Sequence, residues 1–159
     1  MKRRMLTVIG SVAGLFLVLA LTTAFSRTSL DPYMSWYSDV YVECQIEGEW
    51  TDWEADGEAS TAYFGGSASE VNFISVQLDY TVESGGESGW DELYQGYADD
   101  DGEAETDVYA SDYHGGWEDA TLGWIAASWS SDHVVDAVTY FDESINSSTG
   151  SIGCGTGGN

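Results

Sequence analysis

A run of acidic residues between positions 99 and 105 is the first place in this sequence where chemistry could occur. Carboxylate oxygens are the ligands that Ca²⁺ prefers. A helix-loop-helix calcium loop is excluded, because Tyr97 stands where its first ligand would be and Val108 where its bidentate Glu would be. A charged turn is therefore the first expectation, and Ca²⁺ is the one cofactor that the chain could bind. The candidate calcium ligands are Asp99, Asp101, Glu103 and Glu105.

Signatures of catalysis are weak in the rest of the chain. His114 and His133 are the only histidines, and their spacing matches no zinc-binding pattern. No Gly-x-Ser-x-Gly sequence occurs, and no Lys or Arg follows Arg27 to stabilise an anionic transition state. A pair of carboxylates could hydrolyse a glycoside, but with 28 acidic residues the proximity of two has no diagnostic value. We therefore expect a protein that is not an enzyme.

Tryptophans close to predicted turns could bind sugars, because their flat rings offer large apolar faces with one polar group. Packing in the core or at its rim is the competing explanation. Trp124 and Trp129 are expected within a strand and are left out of the candidate set. The candidate sugar-binding residues are Trp50, Trp53, Trp90 and Trp117.

The N-terminal 27 residues must position all of these groups relative to a membrane. All four Lys and Arg residues of the chain flank an uncharged run from Leu6 to Phe25. A helix of that length measures about 30 Å, the thickness of the hydrocarbon layer of a bilayer. Residues 1–27 therefore predict one apolar helix, either a retained transmembrane anchor, which the length favours, or a cleaved signal peptide. The cations before the run favour a cytoplasmic N-terminus and an exported body.

Export suggests two covalent features. Cys44 and Cys154 are the only cysteines, and an even pair outside the cytoplasm predicts a disulfide. This bond would hold the Gly-rich tail, residues 147–159, against the first strand. Asn146 begins an Asn-Ser-Ser glycosylation sequon, which we expect to be exposed just past the last strand.

The exported body carries all 28 Asp and Glu residues and no Lys or Arg. This charge forbids conventional salt bridges and disfavours nucleic acid and anionic lipid as partners. At about 1 M salt the Debye length is about 3 Å, so neighbouring surface carboxylates hardly interact. The composition resembles that of exported, cell-surface proteins of halophilic archaea, which implies adaptation to high salt. Neutralisation by bound Ca²⁺ is the alternative.

From Asp39 onward, apolar residues alternate with polar ones in short segments separated by Gly, Ser and Asp. Period-two alternation predicts half-buried strands, and no helical repeat extends over three turns. Some seven strands favour an all-β domain, an immunoglobulin-like antiparallel β-sandwich, with a jelly roll or small barrel as alternative. Segments 122–129 and 133–141 are expected to form the final hairpin.

These elements give a plan for the whole chain: an anchor or signal peptide (1–27), a juxtamembrane segment (28–38), a β-sandwich (39–146) and a Gly/Ser-rich tail (147–159). We expect a structural or adhesive role at the outer face of the membrane or after secretion. The expected partners are the membrane, through an uncleaved helix, and further copies or other components of a filament or surface layer. A carbohydrate-binding module and a calcium-dependent adhesion domain are the alternatives.

Overall fold

The structure is a computed structural model that describes residues 27–28, 31–86, 89–118 and 122–156. The predicted N-terminal apolar helix lies outside these residues. Within them, no helix has the length and hydrophobicity needed to cross a bilayer.

Strands make up almost all of the described chain, because apolar and polar residues alternate along it. One short 3₁₀ helix, Ala68–Glu70, precedes the fourth strand. In chain order the strands are β1 (Arg27–Thr28), β2 (Met34–Glu47), β3 (Trp50–Tyr63), β4 (Val71–Gly86), β5 (Gly89–Gly102), β6 (Asp107–Glu118), β7 (Trp124–Ala137), β8 (Tyr140–Gly153) and β9 (Gly155–Thr156).

The strands form two sheets. Sheet 1 has the order β1-β2-β3-β6, with β9 also paired to β2, and sheet 2 has the order β5-β4-β7-β8. Every pairing is antiparallel except that of β9 with β2. The prediction of an all-β domain made of two antiparallel sheets is confirmed.

The apolar core lies between the two sheets, because the long strands turn alternate side chains inward; in β8 these side chains are only partly buried. Along β7, for example, every second residue from Ile125 to Ala137 is buried. The largest apolar side chains that are fully buried are Met34, Val40, Ile74, Val76, Leu78, Val82, Ile125 and Val135.

Two sheet edges meet where β5 approaches β6, and a tyrosine cluster fills the space between them. The hydroxyls of Tyr80 and Tyr94 both donate to Asp112 Oδ2, at 2.9 and 3.0 Å. The ring of Tyr80 lies against its cross-strand neighbour Gly96, where a Cβ atom would overlap it. Glycine at this position therefore permits the aromatic packing that closes this side of the sandwich.

The predicted final hairpin is wrong. β7 continues without a break through Ser130 and Asp132, and the turn falls at Val138 and Thr139. The Ser-Ser-Asp segment resembles a turn in sequence, but Ser131 is buried and hydrogen-bonded in the core.

The ends of the domain also differ from the predicted plan. β2 already begins at Met34, inside the expected juxtamembrane segment. β8 continues to Gly153, so residues 147–153 of the expected tail belong to a strand. The sequence does not predict this part of β8 by alternation of buried apolar residues, because none of the β8 side chains is fully buried.

The predicted disulfide is confirmed. Cys44 and Cys154 are bonded, with their Cα atoms 5.2 Å apart. Directly after Cys154, β9 pairs in parallel with Gln45 and Ile46 of β2. The bond thus fastens the end of the chain to sheet 1.

Candidate functional site

Four half-exposed tryptophans lie at one end of the sandwich, which we call the tryptophan end. This end contains the β2–β3 turn, the end of β6 and the start of β7. Between 50 and 56% of each side chain is exposed to solvent. The four residues are Trp50, Trp90, Trp117 and Trp124.

The tryptophans occupy both faces of the molecule. Trp117 lies opposite Asp52 on the outer face of sheet 1, and Trp50 is its diagonal neighbour. On sheet 2, Gly85 of β4 lies between two tryptophans: Trp90 is opposite it on β5 and Trp124 is opposite it on β7. The ring of Trp90 covers Gly85, where an added Cβ would come within 2.6 Å of it. Each face of this end therefore presents a pair of indole rings.

This arrangement differs from the predicted tryptophan set at two positions. Trp53 is 3% exposed, because it faces inward from β3 and packs near His114 with ring centroids 5.7 Å apart. Trp124 was left out because its segment reads as a strand, yet it faces outward as the first residue of β7. The alternation of Trp124 with Ile125, which is buried, is the signal that could have identified it.

A shallow groove crosses the outer face of sheet 2, with a volume of about 610 Å³. Two rows of cross-strand neighbours form the groove, and each row has one residue from each of the four strands of sheet 2. Short hydroxyl side chains make the floor on β7 and β8, and Tyr97 and Gln95 stand at the β5 side. The rows are Tyr97, Asp79, Ser130 and Ser147, and Gln95, Thr81, Ser128 and Thr149.

The outer face of sheet 1 is both acidic and rich in tyrosine. Asp39 is directly opposite Glu58, and Glu43 is directly opposite Glu54. Tyrosine hydroxyls take up part of this charge; that of Tyr41, for example, donates to Glu43 Oε2 at 2.7 Å. The carboxylates of this acidic face are Asp39, Glu43, Asp52, Glu54, Asp56 and Glu58.

The charges of this acidic face change the protonation of its own members. Burial, followed by the negative charges of Glu58 and Asp39, raises the pKa of Asp56. The hydrogen bond to Glu43 raises the pKa of Tyr41 to about 12. Burial and negative charge thus both act on side chains of this face.

The candidate calcium ligands lie at the other end of the sandwich, around the connection from β5 to β6. Asp99 and Asp101 extend from the outer face of sheet 2, opposite Gln77 and Ser75. Glu103 lies in the turn that follows, and the Glu105 carboxylate lies beside Gly102. Within residues 27–28, 31–86, 89–118 and 122–156, no three His, Cys, Asp or Glu side chains are arranged to hold a metal ion.

A buried chain of hydrogen bonds crosses the core between the sheets. His133 Nδ1 lies 2.9 Å from Thr61 Oγ1, and its Nε2 lies 2.9 Å from Ser131 Oγ. Ser131 Oγ is in turn 2.9 Å from Ser38 Oγ. All four residues are at most 2% exposed, and Trp36 stacks on the imidazole.

The backbone carbonyl of Ser75, which can only accept, sets the direction of all these hydrogen bonds. The Thr61 hydroxyl donates to the carbonyl oxygen of Ser75 at 3.0 Å, so it must accept from His133 Nδ1–H. His133 Nε2 then accepts from the Ser131 hydroxyl, which accepts from Ser38. A neutral imidazole with its proton on Nδ1 satisfies every bond. Burial lowers the pKa of His133 to about 4, which favours this neutral form.

The sequon residue Asn146 lies within β8, opposite Ser131. Its Nδ2 atom is buried and has no hydrogen-bond partner within the described residues. Attachment of a glycan to Nδ2 therefore requires the side chain to turn outward from its position in this structure.

The described surface thus offers indole rings, hydroxyl groups and carboxylates in separate areas. Rings and hydroxyls suit neutral sugars, whereas carboxylates suit cations. No protein family model matches the chain, and no curated protein matches it.

Proposed function

We propose that this chain is an exported β-sandwich, adapted to high salt, with a structural or adhesive role at the cell surface and no catalytic activity. Residues 1–27 would serve as its signal peptide or membrane anchor, with the N-terminus in the cytoplasm. The composition that suggests a halophilic archaeal source supports the same proposal.

The strand order supports an immunoglobulin-like class for this sandwich. The seven long strands, β2 to β8, form the orders β2-β3-β6 and β5-β4-β7-β8. If these strands are lettered A to G, the sheets become A-B-E and D-C-F-G. Constant-type immunoglobulin domains have A-B-E-D and C-F-G, so only the fourth strand changes sheet.

The paired carboxylates of the acidic face are the observation that carries the high-salt proposal. Like charges directly opposite each other on neighbouring strands destabilise a sheet. No Lys or Arg follows Arg27, so the body has no Lys or Arg with which to neutralise Glu43 beside Glu54 or Asp39 beside Glu58. Mobile cations at molar concentration would screen these pairs, because the Debye length then falls below their separation.

Circular dichroism of the body from Thr28 to Asn159 tests this proposal. We expect cooperative folding only as KCl rises from dilute buffer to the molar range, up to about 4 M. A parallel titration in dilute buffer uses CaCl₂ at about 1 to 10 mM, with MgCl₂ as the control for general screening by divalent ions. Folding with Ca²⁺ but not Mg²⁺ would replace the high-salt proposal with a calcium-dependent one. Folding in dilute buffer with no added salt would exclude both the high-salt and the calcium-dependent proposal.

Carbohydrate binding is the second candidate function, and the outer face of sheet 2 favours it. The groove offers hydroxyl groups beside the exposed ring of Tyr97. Trp90 and Trp124 lie on the same face, four residues further along β4, which corresponds to about 13 Å. Hydroxyl groups that hydrogen-bond in both directions and flat apolar rings together match the surface of a neutral polysaccharide.

Pull-down on insoluble neutral polysaccharides in molar KCl tests this second candidate. We expect Trp124→Ala to weaken binding about tenfold, because an aromatic contact contributes about 0.5 to 1.5 kcal/mol beyond its buried area. Phe64→Ala is the matched control, since Phe64 is 65% exposed at the opposite end. Equal binding by both variants and the unmodified protein would exclude the tryptophan end of sheet 2 as the sugar site.

A further inference from the structure

β8 is an edge strand, and its far side has no partner strand among residues 27–28, 31–86, 89–118 and 122–156. It pairs with β7 along its whole length, from Tyr140 opposite Ala137 to Gly153 opposite Trp124. The far side of such a strand presents N–H and C=O groups that can pair with another strand. β8 is therefore open to extension of sheet 2.

The turn before β8 indicates which backbone groups point away from the sheet. Val138 and Thr139 form a two-residue turn, so Ala137 and Tyr140 face each other as a hydrogen-bonded pair. N–H groups of successive residues point to opposite sides of a strand. The odd-numbered residues from 141 to 153 therefore point their N–H and C=O groups away from β7, and Ser147 is the middle one.

The side chains of this hairpin are unusually apolar for an exposed edge. Among the described large apolar residues, the three most exposed are Ile145 at 72%, Val138 at 69% and Phe141 at 66%. Exposed edges are commonly protected by charged side chains, Pro or a covering segment. In β8 the only charged residues are Asp142 and Glu143, near its start, and it contains neither Lys nor Pro. Exposed apolar residues beside unpaired backbone groups are typical of an interaction surface.

Charge limits what can bind to this edge. The body carries all the acidic residues of the chain, yet none occurs after Glu143. Two copies of so acidic a protein repel each other over most of their surface. The part of β8 from Ser144 onward is a place where they can approach without opposing carboxylates.

We propose that two copies of this chain pair through β8 as antiparallel strands, with a two-fold axis at Ser147. In this register Glu143 lies opposite Ser151 of the second copy and Ile145 opposite Thr149, so no carboxylate faces another. Apart from the Glu143 N–H, which already donates to Asp142 Oδ1 at 3.0 Å, the outward backbone groups of β8 all find partners in this register. The interface is also self-complementary, as two-fold symmetry requires. This pairing rests on the proposed structural or adhesive role and identifies a second copy as the partner.

The same axis connects the grooves of the two copies. The row that begins at Tyr97 on β5 ends at Ser147 on β8. Pairing at Ser147 therefore places the two grooves end to end across one continuous sheet. A long polymer could then contact both copies at once.

Cysteine cross-linking tests the register. The full chain is purified in detergent micelles in molar KCl, as the Ser147→Cys variant and as the Ser130→Cys control. Both serines are exposed on the same face and are cross-strand neighbours. Two copies of residue 147 would have Cα atoms about 5.5 Å apart, within the range for a disulfide. We expect a covalent dimer from Ser147→Cys on mild oxidation and none from Ser130→Cys.

Light scattering in the same micelles measures the mass of the unmodified chain. We expect a dimer that Ser147→Pro reduces to a monomer, because proline removes an outward N–H group without affecting the ladder to β7. Ser147→Ala retains that group and is expected to remain dimeric. Circular dichroism checks that each variant is folded.

Several results would overturn the pairing. They are a folded, monomeric wild-type chain, equal cross-linking of both cysteine variants, or a folded Ser147→Pro variant that remains dimeric. A monomer in which the outward, odd-numbered amides of β8 resist hydrogen exchange would instead mean that another part of the same chain covers the edge, which also contradicts the proposal. The mass and the salt dependence of folding are measured separately. A monomer that folds only at molar salt would contradict the pairing and support the high-salt proposal. A dimer that folds in dilute buffer would contradict the high-salt proposal and support the pairing.

Discussion

His133 shows how a single side chain can connect the two sheets. Its imidazole joins Thr61 of β3 to Ser131 of β7, and Ser131 contacts Ser38 of β2. A neutral imidazole satisfies each of these bonds, and burial of the ring disfavours its charged form. The stability of the core therefore depends on the neutral form.

The stability that His133 contributes should disappear in mild acid. Its pKa is about 4 in the folded protein, below the ordinary value of 6.5, so between these values the unfolded chain binds more protons. The contribution is complete above about pH 6.5 and is lost as pH falls towards 4, by about 3 kcal/mol in free energy of unfolding. Urea unfolding at constant molar KCl measures this change.

Variants separate this effect from the titration of other groups. His133→Gln should remove the acid-dependent loss of stability relative to the wild type. His114→Gln should retain it, because His114 is exposed. An unchanged pH dependence in His133→Gln would show that another group governs the acid response.

Among the strands, β2 and β4 were predictable because burial and side-chain type agree in them. Val40 and Val42 of β2, and Ile74, Val76 and Leu78 of β4, are β-branched or large apolar residues on the inward face. The disulfide was predictable because two cysteines leave only one possible pairing.

The first half of β3 is not predictable from the sequence, because its composition is unfavourable for a strand. Its outward positions are acidic, and inward positions such as Ala55 and Gly57 are small. Tertiary structure overrides this weak propensity, since β3 pairs with β2 on one side and β6 on the other while Trp53 fills the core.

The tryptophan end depends on topology that the sequence does not reveal. Trp50 and Trp117 are far apart in the chain and become neighbours only because β3 pairs with β6. The groove likewise requires the order β5-β4-β7-β8, which places Tyr97 and Ser147 in one row. Residue types suggested the candidates, and strand order brought them together.

If the proposed adaptation to high salt holds, the salt requirement of the whole molecule is set either by total charge or by the placement of charges. Glu54 lies directly opposite Glu43, between Asp52 and Asp56 on its own strand, whereas Glu49 lies in the exposed β2–β3 turn. Glu54→Gln and Glu49→Gln remove the same charge. If placement matters, Glu54→Gln should fold at a lower KCl concentration, because it relieves a cross-strand repulsion of about 0.2 to 1 kcal/mol.

The KCl midpoint of folding, followed by circular dichroism for the body and both variants, distinguishes these cases. We expect a clear decrease for Glu54→Gln and a smaller one for Glu49→Gln, whose carboxylate has fewer neighbours on the sheet. Equal decreases would mean that net charge alone sets the salt requirement. The acidic face would then be one part of a uniformly charged surface, and its cross-strand pairs would have no special role in the adaptation to salt.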